Sequence, residues 1–318
     1  MGEYYIGIDV GGTNIKIMIM DVSNKVVAKT KIPTNAELGY ECISDNIIET
    51  VNGLFEKENI EKPKVLAVGM GLPGTVDKKE KKTICLAKLR WDGFNPAEKI
   101  GNYFSAPYFI ENDANINALG EYIFGTSGKK NLVLLTLGTG VGGGIIVNGQ
   151  IFGGSSNMAG EFGHMTVQAE GGHICLCGKR GHLEAYCSGT ALERESLEMM
   201  KYRRNTILHQ YVKENGGIYD NSMIPRGVQA EDALCCEIWD RFTYYLAAGI
   251  SNVMMLFNPE VVVVGGGISN AGDILLDPVN RLCKKMVLSQ QSYCPIIRTS
   301  LGAEAGMFGA CALAAQSI

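Results

Sequence analysis

Residues 5–19, YIGIDVGGTNIKIMI, place a pair of glycines between two runs in which apolar residues alternate along the chain. Such alternation is typical of a half-buried β-strand, and a glycine pair between two such runs is typical of a hairpin turn. Residues 132–147, LVLLTLGTGVGGGIIV, repeat this plan. Two similar hairpins in one chain predict a duplicated lobe.

A third glycine-rich turn, GGG at residues 265–267, follows the run VVVV at residues 261–264. A continuous apolar run of this length is typical of a fully buried strand. Helices are predicted at residues 43–59, 114–124, 190–211, 230–257 and 302–315, and residues 211–227 are predicted to form a loop. This mixture predicts an α/β protein of two similar lobes with a cleft between them.

The bulk composition excludes several classes of protein. The chain has 318 residues and a formal net charge of −4, and its Lys and Arg residues form no basic stripe, so we expect no nucleic-acid partner. The N-terminus has no signal-peptide pattern, and glycines interrupt the most apolar window, so we expect no membrane association. Ten cysteines without a signal indicate a reducing, cytoplasmic location, where metal binding outranks disulfides.

The first two glycine turns are suited to phosphate. Asp9 directly precedes Gly11, Gly12 and Thr13, and backbone N–H groups in such a turn can bind phosphate oxygens while the carboxylate holds Mg²⁺ through water. A hairpin that merely needs glycines is the alternative. Gly138-Thr139-Gly140 repeats the arrangement with a hydroxyl, which favours one nucleotide bound by both turns. Neither the P-loop motif nor the dinucleotide-binding fingerprint occurs.

Residues 161–184, EFGHMTVQAEGGHICLCGKRGHLE, contain three of the four histidines of the chain. Imidazole and thiolate are the ligands that Zn²⁺ prefers, and the turn from Cys175 to Gly178 can direct two sulfurs to one point. The segment therefore predicts a metal site beside a carboxylate-bearing polar site. A surface loop with incidental histidines and buried thiols is the alternative.

Residues 109–115, FIENDAN, end a strand and open a helix. Asp113 at this junction is a candidate general base for a substrate hydroxyl, and Asn112 offers a donor and an acceptor to a hydroxyl-rich ligand. A helix N-cap is the alternative role for Asp113, because Asn and Asp are common at that position.

Together these motifs resemble the ROK family of bacterial sugar kinases, within the actin-like ATPase superfold, over nearly the whole chain. The matching segments are DVGGTNIK (9–16), GLPGTVD (71–77), ENDAN (111–115), LTLGTGVGGG (135–144), AGEFGH (159–164), CLCGKRGHLEAYCSG (175–189), VVVVGGG (261–267) and GAEAGMFGA (302–310).

The resemblance implies ATP-dependent phosphorylation of a hexose at its 6-hydroxyl, with glucose as the leading substrate. It further implies that Asp113 is the general base, that Mg²⁺ is the catalytic metal and that Zn²⁺ has a structural role. The implied sugar ligands are Gly74, Asn112, Asp113, Glu161, His164 and Glu184. The implied nucleotide-binding residues are Asp9, Gly11, Gly12, Thr13, Lys16, Gly138, Thr139, Gly140, Gly266 and Gly267.

One residue departs from the family pattern CxCGxxGCxE, because His182 stands where the third cysteine is expected. Zinc accepts either ligand, so Cys175, Cys177, His182 and His164 still make a tetrahedral set. His173 is the alternative to His164 at the metal, which would leave His164 wholly to the sugar.

Two functions are alternatives to the phosphorylation of glucose. The substrate could be an N-acetylhexosamine such as N-acetylmannosamine or N-acetylglucosamine, because the sugar motifs are largely shared. Family members that are sugar-responsive repressors carry a helix-turn-helix domain ahead of the kinase fold, and because the first phosphate strand is predicted to start at Tyr4, we expect no repressor function here. We also expect a homo-oligomer, either a dimer or a tetramer.

The sequence also predicts where the two lobes divide. Residues 1–116 and the helix 303–318 are predicted to form the N-terminal lobe. Residues 117–302, including the zinc-binding segment 161–184, are predicted to form the C-terminal lobe.

Overall fold

The computed structural model of the protein describes residues 2–85, 93–125 and 128–318. The strands are β1 (Glu3–Val10), β2 (Asn14–Asp21), β3 (Val26–Pro33), β4 (Lys64–Leu72), β5 (Thr75–Asp77), β6 (Lys82–Cys85), β7 (Tyr108–Asn112), β8 (Leu132–Leu137), β9 (Val141–Val147), β10 (Gln150–Ile151), β11 (Val261–Gly265) and β12 (Ile296–Arg298). The α-helices are α1 (Gly39–Lys57), α2 (Pro96–Phe104), α3 (Asp113–Gly120), α4 (Glu184–Cys187), α5 (Gly189–Met200), α6 (Leu208–Glu214), α7 (Met223–Gln229), α8 (Ala233–Phe257), α9 (Asp273–Met286) and α10 (Ala305–Gln316).

Two five-stranded sheets share one topology. Their orders are β3-β2-β1-β4-β7 and β10-β9-β8-β11-β12, so each begins with a hairpin and continues through two later strands. β1 pairs with β2 in antiparallel fashion and with β4 in parallel, and β11 pairs in parallel with β8 and β12. The predicted α/β class is confirmed, and the equal strand orders agree with the predicted duplication.

The chain divides into two compact units. Unit 1 consists of Met1–Lys130, Gly144–Gly160 and Ser300–Ile318, and unit 2 consists of Asn131–Gly143 and Glu161–Thr299. These units differ from the lobes predicted at residues 1–116 and 117–302, because residues 117–130 and 144–160 belong to unit 1. Within unit 1, α3 and the π-helical turn that follows it pack against α10, which keeps this stretch with the first sheet.

The core of unit 1 follows from the alternation in its first hairpin. Ile6, Ile8, Ile15 and Ile17 are fully buried and pack with apolar residues of β4 and α1. In unit 2 the run Val261–Val264 is buried throughout, as predicted for a central parallel strand. These buried strands end at the three glycine-rich turns and so fix where each turn begins.

Two predictions of secondary structure are wrong. The helix predicted over residues 190–211 is interrupted between α5 and α6, where the Asp232 carboxylate accepts hydrogen bonds from Thr206 Oγ1 and Ile207 N. The predicted loop at 211–227 contains most of α7, whose Pro225 lies in the first helical turn, where proline is tolerated. Among the described residues, no helix is both long enough and apolar enough to cross a membrane.

Candidate functional site

The first glycine turn joins β1 to β2 in unit 1. Asp9 is buried at the end of β1, and its Oδ2 pairs with Lys16 Nζ at 3.0 Å. Thr34 holds the turn from behind, because its hydroxyl donates to Gly11 O at 2.6 Å and its N–H donates to Thr13 O at 2.9 Å. The structure thus brings together the two charged residues of this motif, while Gly12 and Thr13 are exposed.

The second glycine turn, between β8 and β9, is held by the start of α5. Gly189 N donates to Gly138 O at 2.7 Å, and Thr190 Oγ1 donates to Thr139 O at 2.9 Å. Val141 N donates to the Glu184 carboxylate at 2.9 Å. The carbonyl oxygens of the turn are therefore engaged by protein donors, and Thr139 remains exposed at its tip.

A cavity of about 490 Å³ in unit 2 connects the second and third glycine turns. Gly138 and Thr139 line one part of it, and Gly267, Ile268, Asn270 and Ala271 line another. Gly266, at the start of the third turn, has a φ of 84°, and a side chain there would meet the carbonyl of Leu137. Only glycine permits this close approach of two backbones, which places the third turn beside Leu137, a residue that lines the cavity.

The Asn112-Asp113 junction lies between β7 and α3 in unit 1. Asn112 is the N-cap of α3, since its Oδ1 accepts hydrogen bonds from Ala114 N and Asn115 N. Its Nδ2 donates to the carbonyl of Gly74 at 3.0 Å, which leaves one amide hydrogen for a ligand. Asp113 is the first helical residue, and its Oδ1 also accepts a hydrogen bond from Ala114 N at 2.8 Å, so it shares this donor with the N-cap Asn112.

Glu111 supports this junction from the interior. It is 1% exposed, and its Oε1 accepts hydrogen bonds from Asn112 N at 2.8 Å and Asn115 Nδ2 at 3.0 Å. Its Oε2 forms an ion pair with Lys78, whose side chain is 35% exposed. The sequence analysis assigned no role to Glu111 or Lys78, because neither the spacing nor the residue type distinguishes a supporting carboxylate from a surface one.

Residues 161–184 of unit 2, the predicted metal-binding segment, fold back on themselves around the turn from Cys175 to Gly178. Gly178 N donates to Cys175 O at 2.9 Å, and Gly178 has a φ of 85°, which favours glycine. A short antiparallel contact between Ile174 and Arg180 closes the turn, and another between Thr166 and His182 brings in the rest of the segment. These contacts bring Cys175 and Cys177 next to His182.

Ligand atoms of His164, Cys175, Cys177 and His182 lie within 4.8 Å of one another. Cys177 Sγ is 3.2 Å from His182 Nδ1, and Cys175 Sγ is 3.8 Å from His164 Nδ1. In a tetrahedral zinc site with ordinary Zn–S and Zn–N bonds, sulfur and nitrogen are roughly 3.6 Å apart. Both distances are close to this value, so the four residues fit a Zn²⁺ ion.

Burial shifts the pKa values of two of these residues, Cys175 and His182. It raises the pKa of the Cys175 thiol to about 11, and it lowers the pKa of His182, assisted by neighbouring His164. The neutral imidazole is the form that binds metal, whereas a coordinated thiol must lose its proton, which a divalent cation promotes. The donor set therefore suits a cation that binds thiolate strongly.

His173 lies outside this group. Arg241 donates to its Nε2 at 2.8 Å, and its ring packs on Tyr186 with a centroid distance of 5.0 Å. Burial, with the nearby Arg194 and Arg241, lowers the pKa of His173. Of the two alternatives for the fourth ligand, the geometry favours His164.

The proposed sugar residues of unit 2 belong to or adjoin the four candidate zinc ligands. These ligands, here called the metal-type group, are His164, Cys175, Cys177 and His182. Glu161 and His164 lie at the two ends of a single turn of 3₁₀-helix, and both are exposed. Glu184 begins α4, and its Oε1 lies 3.5 Å from Cys175 Sγ while its Oε2 accepts from Val141 N. Glu184 thus touches both the metal-type group and the second glycine turn.

One wall of the cavity is formed by residues that carry no predicted site motif. Asp220, Asn221, Ser222, Arg226 and Gln229, on or just before α7, line it together with Trp239 and residues of the third turn. The composition of residues 211–227 indicated only a loop, and proline and glycine within α7 obscured its helical period. No residue type in this stretch carries a recognisable nucleotide-binding signal.

The fold and these groups define a class, the α/β proteins of actin-like ATPase type with paired glycine turns. The chain belongs to the ROK family, whose family model matches residues 5–317. It is 36% identical over 310 residues to the glucokinase of Halalkalibacterium halodurans, covering 96% of this chain and 93% of that protein.

A solved structure supports the same family. The ROK-family glucokinase of Streptomyces griseus, in complex with glucose and AMPPNP, is similar with a TM-score of 0.81 and 30% identity, covering 98% of this chain and 99% of that one. The xylose repressor of Caldicellulosiruptor bescii is 29% identical over 294 residues, covering 91% of this chain but 72% of the repressor. The family therefore includes both catalytic and regulatory relatives.

Proposed function

We propose that the protein is an ATP-dependent glucokinase that transfers the γ-phosphoryl group of ATP to the 6-hydroxyl of glucose. The observation that carries this proposal is its likeness, over 98% of the chain, to a glucokinase in complex with glucose and an ATP analogue. The 36% sequence identity with the Halalkalibacterium halodurans glucokinase also supports a glucokinase assignment.

The nucleotide is assigned to the cavity of unit 2. Gly138 and Thr139 of the phosphate-type turn and Gly267 of the third turn line this cavity, and the proposal assigns the phosphates of ATP to the former turn and the adenosine to the latter. The first turn, with Asp9, Gly11, Gly12, Thr13 and Lys16, is the second phosphate site in this proposal. Mg²⁺, held by Asp9 through water, would supply neutralisation of phosphate charge when bound.

Asp113 is assigned as the general base. In a phosphoryl transfer the protein contributes mainly positioning and electrostatics, and a carboxylate that accepts the proton of the attacking hydroxyl is the usual remaining catalytic group. The capped start of α3, fixed from within by Glu111, holds Asp113 in one place. The remaining amide hydrogen of Asn112 can donate to a sugar oxygen, and Gly74 lies beside it.

The other sugar contacts are assigned to Glu161, His164 and Glu184. His164 directs Nδ1 toward Cys175, so its Nε2 is the atom proposed for a sugar hydroxyl. Zn²⁺, if bound by His164, Cys175, Cys177 and His182, would fix the orientation of His164 and restrain Glu184 through Cys175. Zinc therefore acts on structure in this proposal.

An N-acetylhexosamine kinase is the second candidate, because the motif residues alone do not select the sugar. The experiment that separates the two measures ADP release by the purified protein with ATP, Mg²⁺ and a panel of hexoses and N-acetylhexosamines. We expect glucose to give the highest kcat/KM, mannose or glucosamine less, and N-acetylhexosamines least, by as much as roughly 10⁴-fold. A higher kcat/KM for N-acetylmannosamine or N-acetylglucosamine would replace the glucokinase assignment.

A further inference from the structure

The turn between β5 and β6 is attached to β7 at two points. The Lys81 ammonium lies 4.5 Å from the centre of the Tyr108 ring, which is a cation–π contact. The Lys78 ammonium forms an ion pair with Oε2 of Glu111, near the end of β7. Lys78 therefore brings a positive charge of the turn to the buried carboxylate behind the proposed general base.

The two members of this ion pair differ in their access to water. The Glu111 side chain is 1% exposed, whereas the Lys78 side chain is 35% exposed. An ionised carboxylate that is buried without a counter-ion is strongly destabilised, while an ammonium that reaches the surface can be hydrated instead. Removal of Lys78 should therefore disturb the protein more than neutralisation of Glu111.

The Glu111 carboxylate connects this ion pair to the start of α3. Its Oε1 accepts hydrogen bonds from Asn112 N at 2.8 Å and from Asn115 Nδ2 at 3.0 Å. Asn112 in turn caps α3 and donates to Gly74 O. If Glu111 loses its counter-ion and moves toward another partner, Asn112 moves with it. The displacement would reach Asp113, the first residue of the helix.

We propose that Lys78 is a positioning residue for the phosphorylation of the sugar. By neutralising Glu111, it keeps Asn112 and Asp113 in the geometry that the hexose requires. Lys78 acts through Glu111 and does not itself contact the sugar. This assignment rests on the proposed function, because it takes Asn112 and Asp113 to be sugar-binding residues. It gives a function to a lysine-rich turn that carries no family motif.

The test is a steady-state kinetic comparison of wild-type protein, Lys78→Met, Glu111→Gln and the double variant, with glucose and ATP. Lys78→Met should lower kcat and raise KM for glucose, so that kcat/KM falls roughly 10- to 100-fold, because a small displacement of reacting groups is costly. KM for ATP should change little. Glu111→Gln alone should have a smaller effect, because the amide oxygen still accepts both hydrogen bonds and Lys78 reaches water.

The double variant shows whether Lys78 acts through Glu111. Combining Lys78→Met with Glu111→Gln removes both charges and keeps the acceptor oxygen, so kcat/KM for glucose should be at least about 5-fold higher than in Lys78→Met. A smaller folded fraction would lower kcat alone. A rise in KM for glucose therefore identifies a displaced junction rather than partial unfolding.

Lys79→Met is the matched control, because Lys79 is the next residue in the same turn and its side chain is exposed. It should keep wild-type values. If Lys78→Met matches this control, or if the double variant is no better than Lys78→Met, the positioning role is wrong while the kinase assignment stands. If the wild-type protein does not phosphorylate glucose, both are wrong.

Discussion

At the scale of single residues, adjacent polar side chains at the start of α3 fix one another through hydrogen bonds. Asn112 uses Oδ1 to cap the helix and one amide hydrogen to hold Gly74, while Glu111 accepts the N–H of Asn112 from the interior. Asp113 Oδ1 accepts a hydrogen bond from Ala114 N at 2.8 Å, a donor that it shares with Asn112. These hydrogen bonds fix the position of the Asp113 carboxylate, which the proposed role in proton transfer requires.

Replacing Asp113 tests that assignment. Asp113→Asn should lower kcat by roughly 10²- to 10⁴-fold, because an amide cannot accept the hydroxyl proton. Glucose binding, measured by titration, should persist, because the amide still forms hydrogen bonds. Asp45→Asn is the control, since Asp45 forms an exposed ion pair with Lys99. Turnover of Asp113→Asn close to that of this control would show that Asp113 is not the base.

At the scale of elements, the start of α5 acts as a brace for the second glycine turn. Backbone N–H groups of Gly189 and Thr190 and the Thr190 hydroxyl all donate to carbonyls of that turn. Glu184, at the start of the neighbouring helix α4, accepts a hydrogen bond from Val141 N in β9. One continuous stretch therefore links the metal-type group to the proposed phosphate site.

The Thr190 hydroxyl provides a clean test of this brace. Thr190→Val removes one hydrogen bond to Thr139 O at nearly constant volume, and it should raise KM for ATP about 2- to 10-fold. KM for glucose should change little. Thr190→Ser retains the hydroxyl and should restore wild-type values. Equal behaviour of the Val and Ser variants would indicate that the hydroxyl does not position the turn.

The metal-type group makes a second prediction at this scale. Protein purified without added metal should contain about one Zn²⁺ per chain. Chelation or Cys175→Ala should remove the metal and lower the Tm, because the turn bearing His164 and Glu184 loses its anchor. Cys236→Ala, which changes a free cysteine outside the group, should retain both. Metal-free protein with an unchanged Tm would exclude a structural zinc.

The elements also show what the sequence could predict. The hairpins, the VVVV strand and the Cys175–Gly178 turn were predictable, because alternation, β-branching and a required positive φ are local properties. The α7 wall and the support from Glu111 were not. They depend on which distant residues the fold brings together, as when Asp232 ties the break between α5 and α6.

At the scale of the whole molecule, two sheets of equal order carry the proposed phosphate turns at corresponding hairpins. This duplication explains why one nucleotide-type motif occurs twice, once as DVGGT and once as LGTG. Family membership, the cavity between the second and third glycine turns and the hydrogen-bonded Asp113 junction together support a phosphotransferase. The cytoplasmic location and the homo-oligomeric state stay predictions.

Transfer of phosphate to glucose is the central claim, and the most direct test follows the phosphate itself. Purified protein is incubated with glucose and ATP radiolabelled at its γ-phosphate, and the products are separated and identified. We expect label on the 6-oxygen of glucose in equal amount to the ADP formed, and little ADP without sugar. Label recovered as inorganic phosphate, or no ADP formed with glucose present, would contradict the account.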